Sequence, residues 1–116
     1  MVLKIYNTKA RKKEVFTPVE EGKVGMYVCG VTPYDFSHIG HARSYVAFDM
    51  IRRVLEYLGY NVSFVQNFTD VDDKIIARAK ELRDDPLELS KRFIEAYLQD
   101  MDALGVKRAD SYSLVS

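Results

Sequence analysis

The spacing of apolar and polar positions divides the chain into short strands and longer helices. Val2 to Tyr6 alternates apolar and charged positions and predicts a short half-buried strand. Asn7 to Lys13 is polar and turn-like, with Lys9, Arg11, Lys12 and Lys13 making a small basic loop. Glu14 to Thr17 returns as a second strand, stopped by Pro18, and Glu20-Glu21-Gly22-Lys23 reads as a turn. Val24 to Val31 is a mostly apolar run of strand length, as expected of a strand buried on both faces in a parallel sheet. From His38 to Leu58 the residues Tyr45, Val46, Phe48, Met50, Val54, Leu55 and Leu58 recur close to the helical period, and Gly59 is a good stop. Asn61 to Phe68 predicts another strand through Val62, Phe64, Val65 and Phe68.

Strand, helix and strand joined by short connections make a βαβ unit. The fold class expected is therefore α/β, with a parallel βαβ core. The loop around His38 then falls at the carboxyl end of the first strand, where ligands bind in open α/β sheets. Asp72 to Leu82 follows as a helix capped from the run Thr69-Asp70-Val71-Asp72-Asp73, and Arg83-Asp84 is a break. Asp85-Pro86-Leu87-Glu88 offers a cap, a proline at the first helical position and a Glu three residues after the cap. It predicts a helix from Pro86 to Leu104 ending at Gly105, with Leu89, Phe93, Ile94, Tyr97, Leu98 and Met101 on its apolar face. Val106 to Ser116 has no strong pattern and is expected to be an interrupted connection. Three parts result: N-terminal strands over 1–23, the βαβ unit over 24–68, and helices with that connection over 69–116.

Composition narrows the class. The chain has 116 residues and 47% hydrophobic content, enough for one small domain with a packed core. Seventeen basic and seventeen acidic residues cancel, so no overall basic excess advertises nucleic-acid binding. Little such binding is expected of this segment. Cys29 is the only cysteine, which excludes an internal disulfide. No signal-peptide pattern and no bilayer-length apolar run are present, and a reducing, cytoplasmic setting is expected.

The chemistry concentrates between Tyr27 and His41. Gly40 lacks a Cβ, so a ligand ring can lie against the backbone there. Imidazoles donate hydrogen bonds to phosphate oxygens, and a helix starting near His38 aims free N–H groups and its positive end at the same place. This describes a phosphate site; it equally describes a polar loop that caps a helix. Cys29, at the end of an apolar strand, reads on composition as a small core residue. A metal set of Cys29 with His38 and His41 lacks a decisive fourth ligand. Asp70, Asp72 and Asp73 could hold Mg2+, but the spacing lacks the calcium-loop glycine and terminal Glu, and capping is the simpler role. Thr69 occupies a site position by topology. Arg52-Arg53 and Lys91-Arg92 are expected on solvated faces, and Tyr45, Tyr57, Tyr60 and Phe93 in the core.

Several stretches together resemble one family. Lys4-Ile5-Tyr6-Asn7-Thr8, Gly25-Met26-Tyr27-Val28-Cys29-Gly30 and His38-Ile39-Gly40-His41-Ala42-Arg43 come first. Tyr45-Val46-Ala47-Phe48-Asp49, the run from Asn67 to Ile76, Asp102-Ala103-Leu104-Gly105 and Arg108-Ala109-Asp110 follow in order. The set resembles the cysteinyl-tRNA synthetases of class I, with His38 to His41 as the HIGH signature. The resemblance implies a partial Rossmann-like nucleotide-binding fold, truncated here. It also implies activation of cysteine with ATP and transfer to tRNA(Cys). By resemblance, His38 and His41 are catalytic and, with Ile39 and Gly40, bind ATP, which enters with Mg2+. Gly30, Thr32 and Thr69 would line the cysteine pocket. Cys29 would be the first ligand of a Zn2+ whose remaining Cys, His and Glu ligands lie downstream. Zinc prefers a thiolate to a hydroxyl, and a size-based pocket alone discriminates poorly among small side chains. The KMSKS loop and the anticodon-reading helical domain are absent, so an inactive N-terminal fragment is expected. Two alternatives remain. One is the related mycothiol-pathway ligase that joins cysteine to an amino-sugar inositol. The other is a stand-alone, non-catalytic nucleotide-binding or interaction module.

Overall fold

The computed structural model describes residues 2–116. Strands β1 (Lys4–Asn7) and β2 (Lys12–Val15) form an antiparallel hairpin with Tyr6 opposite Lys13. Arg11 turns it with a left-handed φ of 55°, and Asn7 Nδ2 donates to Glu14 Oε2 at 2.9 Å. The first strand starts two residues later than its alternation predicted and is exposed rather than half-buried. The physical reason is that the hairpin forms its own two-stranded sheet and, among the described residues, pairs with no other strand. The basic loop is shorter than expected, because Lys12 and Lys13 belong to β2.

The second sheet carries the site. Strand β3 (Lys23–Val28), helix α1 (Ile39–Tyr57) and strand β4 (Asn61–Phe68) make the βαβ unit, and β3 and β4 pair in parallel with Lys23 opposite Asn61 and Val28 opposite Gln66. Helices α2 (Asp73–Leu82) and α3 (Pro86–Ala103) follow. Strand β5 (Ser111–Leu114) then pairs in parallel with β4, and the order is β3-β4-β5. Thr69 therefore does follow the central strand. The caps are those the sequence offers: Asp72 Oδ1 accepts from Lys74 N at 2.8 Å, and Asp85 Oδ1 from Leu87 N at 2.9 Å.

β5 corrects the expectation of an unpatterned connection over Val106 to Ser116. Its Ser-Tyr-Ser-Leu alternation is too short to signal a strand by itself. Contacts with β4 make it one: Asp110 Oδ2 accepts from Phe64 N at 2.7 Å, and the Tyr112 ring stacks on Phe68 at 5.4 Å. The apolar run Val24 to Val31 ends as a strand at Val28, because the chain from Cys29 leaves the regular ladder.

The main core joins Val28, Val31, Tyr45, Phe64, Phe68, Tyr97 and Met101, and a second cluster joins Ile75, Ala79, Leu89 and Phe93. On α1 the buried residues are Tyr45, Arg52 and Leu55, while Val46, Phe48, Met50 and Val54 stay exposed. The apolar stripe is thus broader than the surface the sheet covers. Arg52 overturns its assignment to a solvated face. It is 5% exposed, its guanidinium lies 5.0 Å from the Phe64 ring centroid, and it donates to Arg108 O at 2.7 Å and Asp110 Oδ2 at 3.4 Å. Those partners come from a distant segment, so helical spacing could not find them. Tyr57 is exposed and Tyr60 half-buried, its ring edge-on to Phe16, so neither is core as expected. The radius of gyration is 16.6 Å, against about 13 Å for a compact domain of this length. The fold is drawn out, and its core is correspondingly thin.

Candidate functional site

The turn into α1 is built by its own histidines. His38 is the N-cap, with extended backbone, and its Nδ1 accepts from Gly40 N–H at 3.0 Å. The His38 N–H in turn donates to His41 Nδ1 at 3.1 Å. Imidazoles here fill both halves of a capping box that Ser or Thr and Glu usually fill. The chemistry follows directly. An Nδ1 that accepts a backbone N–H carries no proton, so each neutral ring holds its proton on Nε2. The rings stack at 4.0 Å with 22° between their planes. Burial, and secondarily the neighbouring His38, lower the pKa of His41 from 6.5, so His41 is a neutral Nε2–H donor at pH 7. A Cβ on Gly40 would lie 2.8 Å from His38 Cε1, so the imidazole sits over a bare Cα.

Beyond β3, Cys29 presents a free, exposed thiol, which corrects its reading as a small core residue. The strand has already left its ladder there. The Cys29 carbonyl accepts from Tyr45 Oη at 3.0 Å, and the next N–H, of Gly30, donates to Asn67 Oδ1 at 2.7 Å. Gly30 is obligatory, because a Cβ there would lie 1.7 Å from Asn67 O. Thr69 N–H donates to Val31 O at 3.2 Å, and Tyr34 N–H to Thr32 O at 2.9 Å. These bonds tie the segment that follows β3 to the end of β4, with half-buried Thr32 in the same loop.

Among the described residues no group of three His, Cys, Asp or Glu side chains is arranged to hold a metal. Cys29, His38 and His41 do not form a centre, nor do Asp70, Asp72 and Asp73. The accessible Cys29 thiol suits one zinc ligand, and the residues present do not complete a zinc site. Asp72 is a cap. Asp70 is buried and accepts from Ser116 N at 2.9 Å, while its own carbonyl accepts from Ser90 Oγ at 2.9 Å.

Four supporting residues escaped the sequence reading: Tyr45 and Tyr97 as more than core, and Gln66 and Asn67. Gln66 Nε2 donates to Tyr97 Oη at 2.8 Å, both buried. The available signal was two polar amides at the end of an otherwise apolar strand, since buried polar groups require partners.

The family model described as the catalytic domain of class I (C) tRNA synthetases matches residues 15–116. The chain is also 59% identical, over all of its 116 residues, to a cysteine–tRNA ligase of Pyrococcus horikoshii. The chain belongs to the class I cysteinyl-tRNA synthetase family. Other relatives carrying the cysteine–tRNA ligase name include the chloroplastic and mitochondrial protein of Arabidopsis thaliana, 67% identical over 86% of this chain. That of Heliobacterium modesticaldum is 54% identical over the whole chain. These names favour the synthetase branch over the mycothiol-pathway ligase. The chain spans 24% of the Pyrococcus relative's length and 18% of the Arabidopsis relative's.

Solved synthetase structures share the fold. The methionyl-tRNA synthetase of Mycobacterium tuberculosis in complex with methionyl-adenylate aligns with a TM-score of 0.69 at 24% identity, over 76% of this chain and 18% of its own. The LeuRS–tRNA–LeuAMS ternary complex of Agrobacterium radiobacter aligns with a TM-score of 0.69 at 22% identity, over 84% of this chain and 13% of its own. At these identities the likeness establishes a partial Rossmann-like fold for this cysteinyl-tRNA synthetase segment.

Proposed function

We propose that these residues are the amino-terminal part of the catalytic domain of a cysteine–tRNA ligase, which activates cysteine with ATP and transfers it to tRNA(Cys). One observation carries the reading: both imidazoles of the His38–His41 turn spend Nδ1 on the backbone and keep Nε2–H for a ligand. Those donors, at the start of a 19-residue helix, favour the phosphates of ATP. As the cysteine carboxylate bonds the α-phosphorus and pyrophosphate departs, the two Nε2–H groups stabilise the developing charge. Ile39 completes the turn, and Gly40 leaves the room that lets the His38 ring lie flat. Gly30, Thr32 and Thr69 line the cysteine pocket.

Zn2+, with Cys29 as one ligand and its other donors outside these residues, would supply selectivity for a thiolate. ATP enters with Mg2+. The 116 residues by themselves do not form cysteinyl adenylate, because one thiol and two imidazoles are only part of the required set. Among the described residues no helix is long and apolar enough to cross a membrane. A cytoplasmic setting belongs to the proposal.

The test is cysteine-dependent ATP–pyrophosphate exchange by the full-length protein. Exchange with cysteine and not serine, lost in His38→Ala and His41→Ala, is the expected result. Full exchange in both variants would remove the histidines from the chemistry, and no exchange in the parent protein would remove the ligase reading.

A further inference from the structure

We infer that Tyr45 and Asn67 are positioning residues that together fix the plane of the Cys29–Gly30 peptide, and with it the backbone of the loop that carries the Cys29 thiol. The link to cysteine activation rests on the proposed function; the geometry stands without it.

The carbonyl of Cys29 and the N–H of Gly30 are the two polar groups of one peptide bond. That unit is rigid and planar, and its two groups point to opposite sides. Tyr45 Oη, on α1, donates to the carbonyl at 3.0 Å, and Asn67 Oδ1, on β4, accepts from the N–H at 2.7 Å. A single hydrogen bond would leave the plane free to rock about its Cα–Cα axis. Two bonds at opposite edges, from different elements, remove that freedom.

The need arises from Gly30 itself. The nearness of Asn67 O excludes any Cβ at Gly30, so this position must be the residue with the softest backbone. Rotation of the plane would change ψ of Cys29 and φ of Gly30 together. Glycine alone offers little resistance to that rotation, and the two side chains supply the resistance it lacks.

The Tyr45 clamp is itself held. Tyr45 is buried edge-on to Tyr97, with centroids 5.3 Å apart and 79° between planes. Tyr97 is edge-on to Phe68 at 5.4 Å and takes the Gln66 amide on its hydroxyl. Burial, and secondarily Cys29, raise the Tyr45 pKa to about 12, so its phenol keeps its proton under ordinary conditions. A continuous set of packed side chains thus runs from α3, through Tyr97 and Tyr45, to the carbonyl of the residue that bears the thiol.

Tyr45→Phe and Asn67→Leu in the full-length protein test the clamp, with Asn67→Asp as the variant that restores an acceptor. The decisive readout is the Gly30 amide in protein labelled with 15N-glycine. Asn67→Leu must speed its hydrogen exchange, because it removes the direct partner. The clamp requires that Tyr45→Phe speed it too, by about tenfold, although Tyr45 bonds only the carbonyl. In exchange assays both variants should raise KM for cysteine about tenfold and leave KM for ATP within about twofold, whereas Asn67→Asp should keep KM for cysteine near the parental value.

Unchanged Gly30 exchange in Tyr45→Phe would overturn the inference. So would a parallel rise in both KM values, which would mark general loosening of the fold. Were the parent protein to show no cysteine-dependent exchange, the proposed function would fall, while the Gly30 readout would still decide the clamp.

Discussion

His38 and His41 cap one helix from both directions: the backbone N–H of His38 reaches Nδ1 of His41, while Nδ1 of His38 takes the N–H of Gly40. The turn is therefore a structural cap and a donor pair at once, and substitution can separate the two roles. Asp is among the best N-cap residues. His38→Asp should keep thermal stability within about 1 kcal/mol of the parent protein. It should cut cysteine-dependent pyrophosphate exchange by at least about a hundredfold, the scale seen when one oxyanion donor is lost. Retained exchange in a stable His38→Asp protein would reduce the turn to a cap.

His41 gives the pH dependence. Its folded pKa lies below 6.5, chiefly through burial and secondarily through His38. The folded state then binds fewer protons than the unfolded state. Stability linked to this group is complete above about pH 6.5 and is lost as pH falls through the lowered folded value. Protonation of Nδ1 also ends its acceptance of the His38 N–H, so the cap weakens in the same direction. The His41 midpoint, followed by NMR, should lie below 6.5, and His38→Gln should move it upward without restoring it fully. A midpoint above 6.5 would contradict the argument.

The two site glycines should respond differently to alanine. At Gly30 the new Cβ would overlap the Asn67 carbonyl at 1.7 Å, backbone against backbone. Gly30→Ala should cost more than about 3 kcal/mol, or prevent folding. At Gly40 the new Cβ would meet the His38 ring at 2.8 Å, and a ring can swing aside. Gly40→Ala breaks one capping bond but gains helix propensity, each worth about 1 kcal/mol. Urea unfolding should therefore find it near parental stability, with exchange activity reduced because His38 is displaced.

Arg52 is the anchor of the segment leading to β5. Arg52→Met keeps the stem packed on Phe64 but abandons Arg108 O and Asp110. Because the Asp110 side chain is 52% exposed, the cost should be about 2–3 kcal/mol, below that of a fully buried pair. Arg52→Lys should recover only part, since an ammonium cannot span both acceptors as a guanidinium fork does. A change below about 0.5 kcal/mol in either variant would mean that the contact is incidental.

What the sequence discloses is whatever neighbouring residues decide. Asp72, Asp85-Pro86, Gly59 and Gly105 mark helix ends by local backbone chemistry, and the helices begin and end within two residues of those marks. The two long apolar runs give the parallel pair, and with it the place of the His38 turn. Other features depend on partners from far along the chain. Arg52 looks like any helical surface charge until Asp110 reaches it, and Ser111 to Leu114 resembles a loop until β4 lies beside it. Tyr45 reads as an aromatic core residue because nothing local betrays that its hydroxyl meets Cys29 O. The exposure of Cys29 is likewise a property of where the ladder stops, which alternation does not reveal.

The strand order β3-β4-β5 equals the order in which the strands are made. On a ribosome, each strand of this sheet emerges to find its neighbour already synthesised, and no strand must later be threaded between two others. The nascent sheet can thus grow outward from β3 one edge at a time, as amino-terminal segments fold during translation. The clamp on the Cys29–Gly30 peptide needs no residue beyond Asn67, so both its partners are synthesised before the last helix, which braces Tyr45. The thiol loop would then be set early, and everything synthesised afterwards would fold against it.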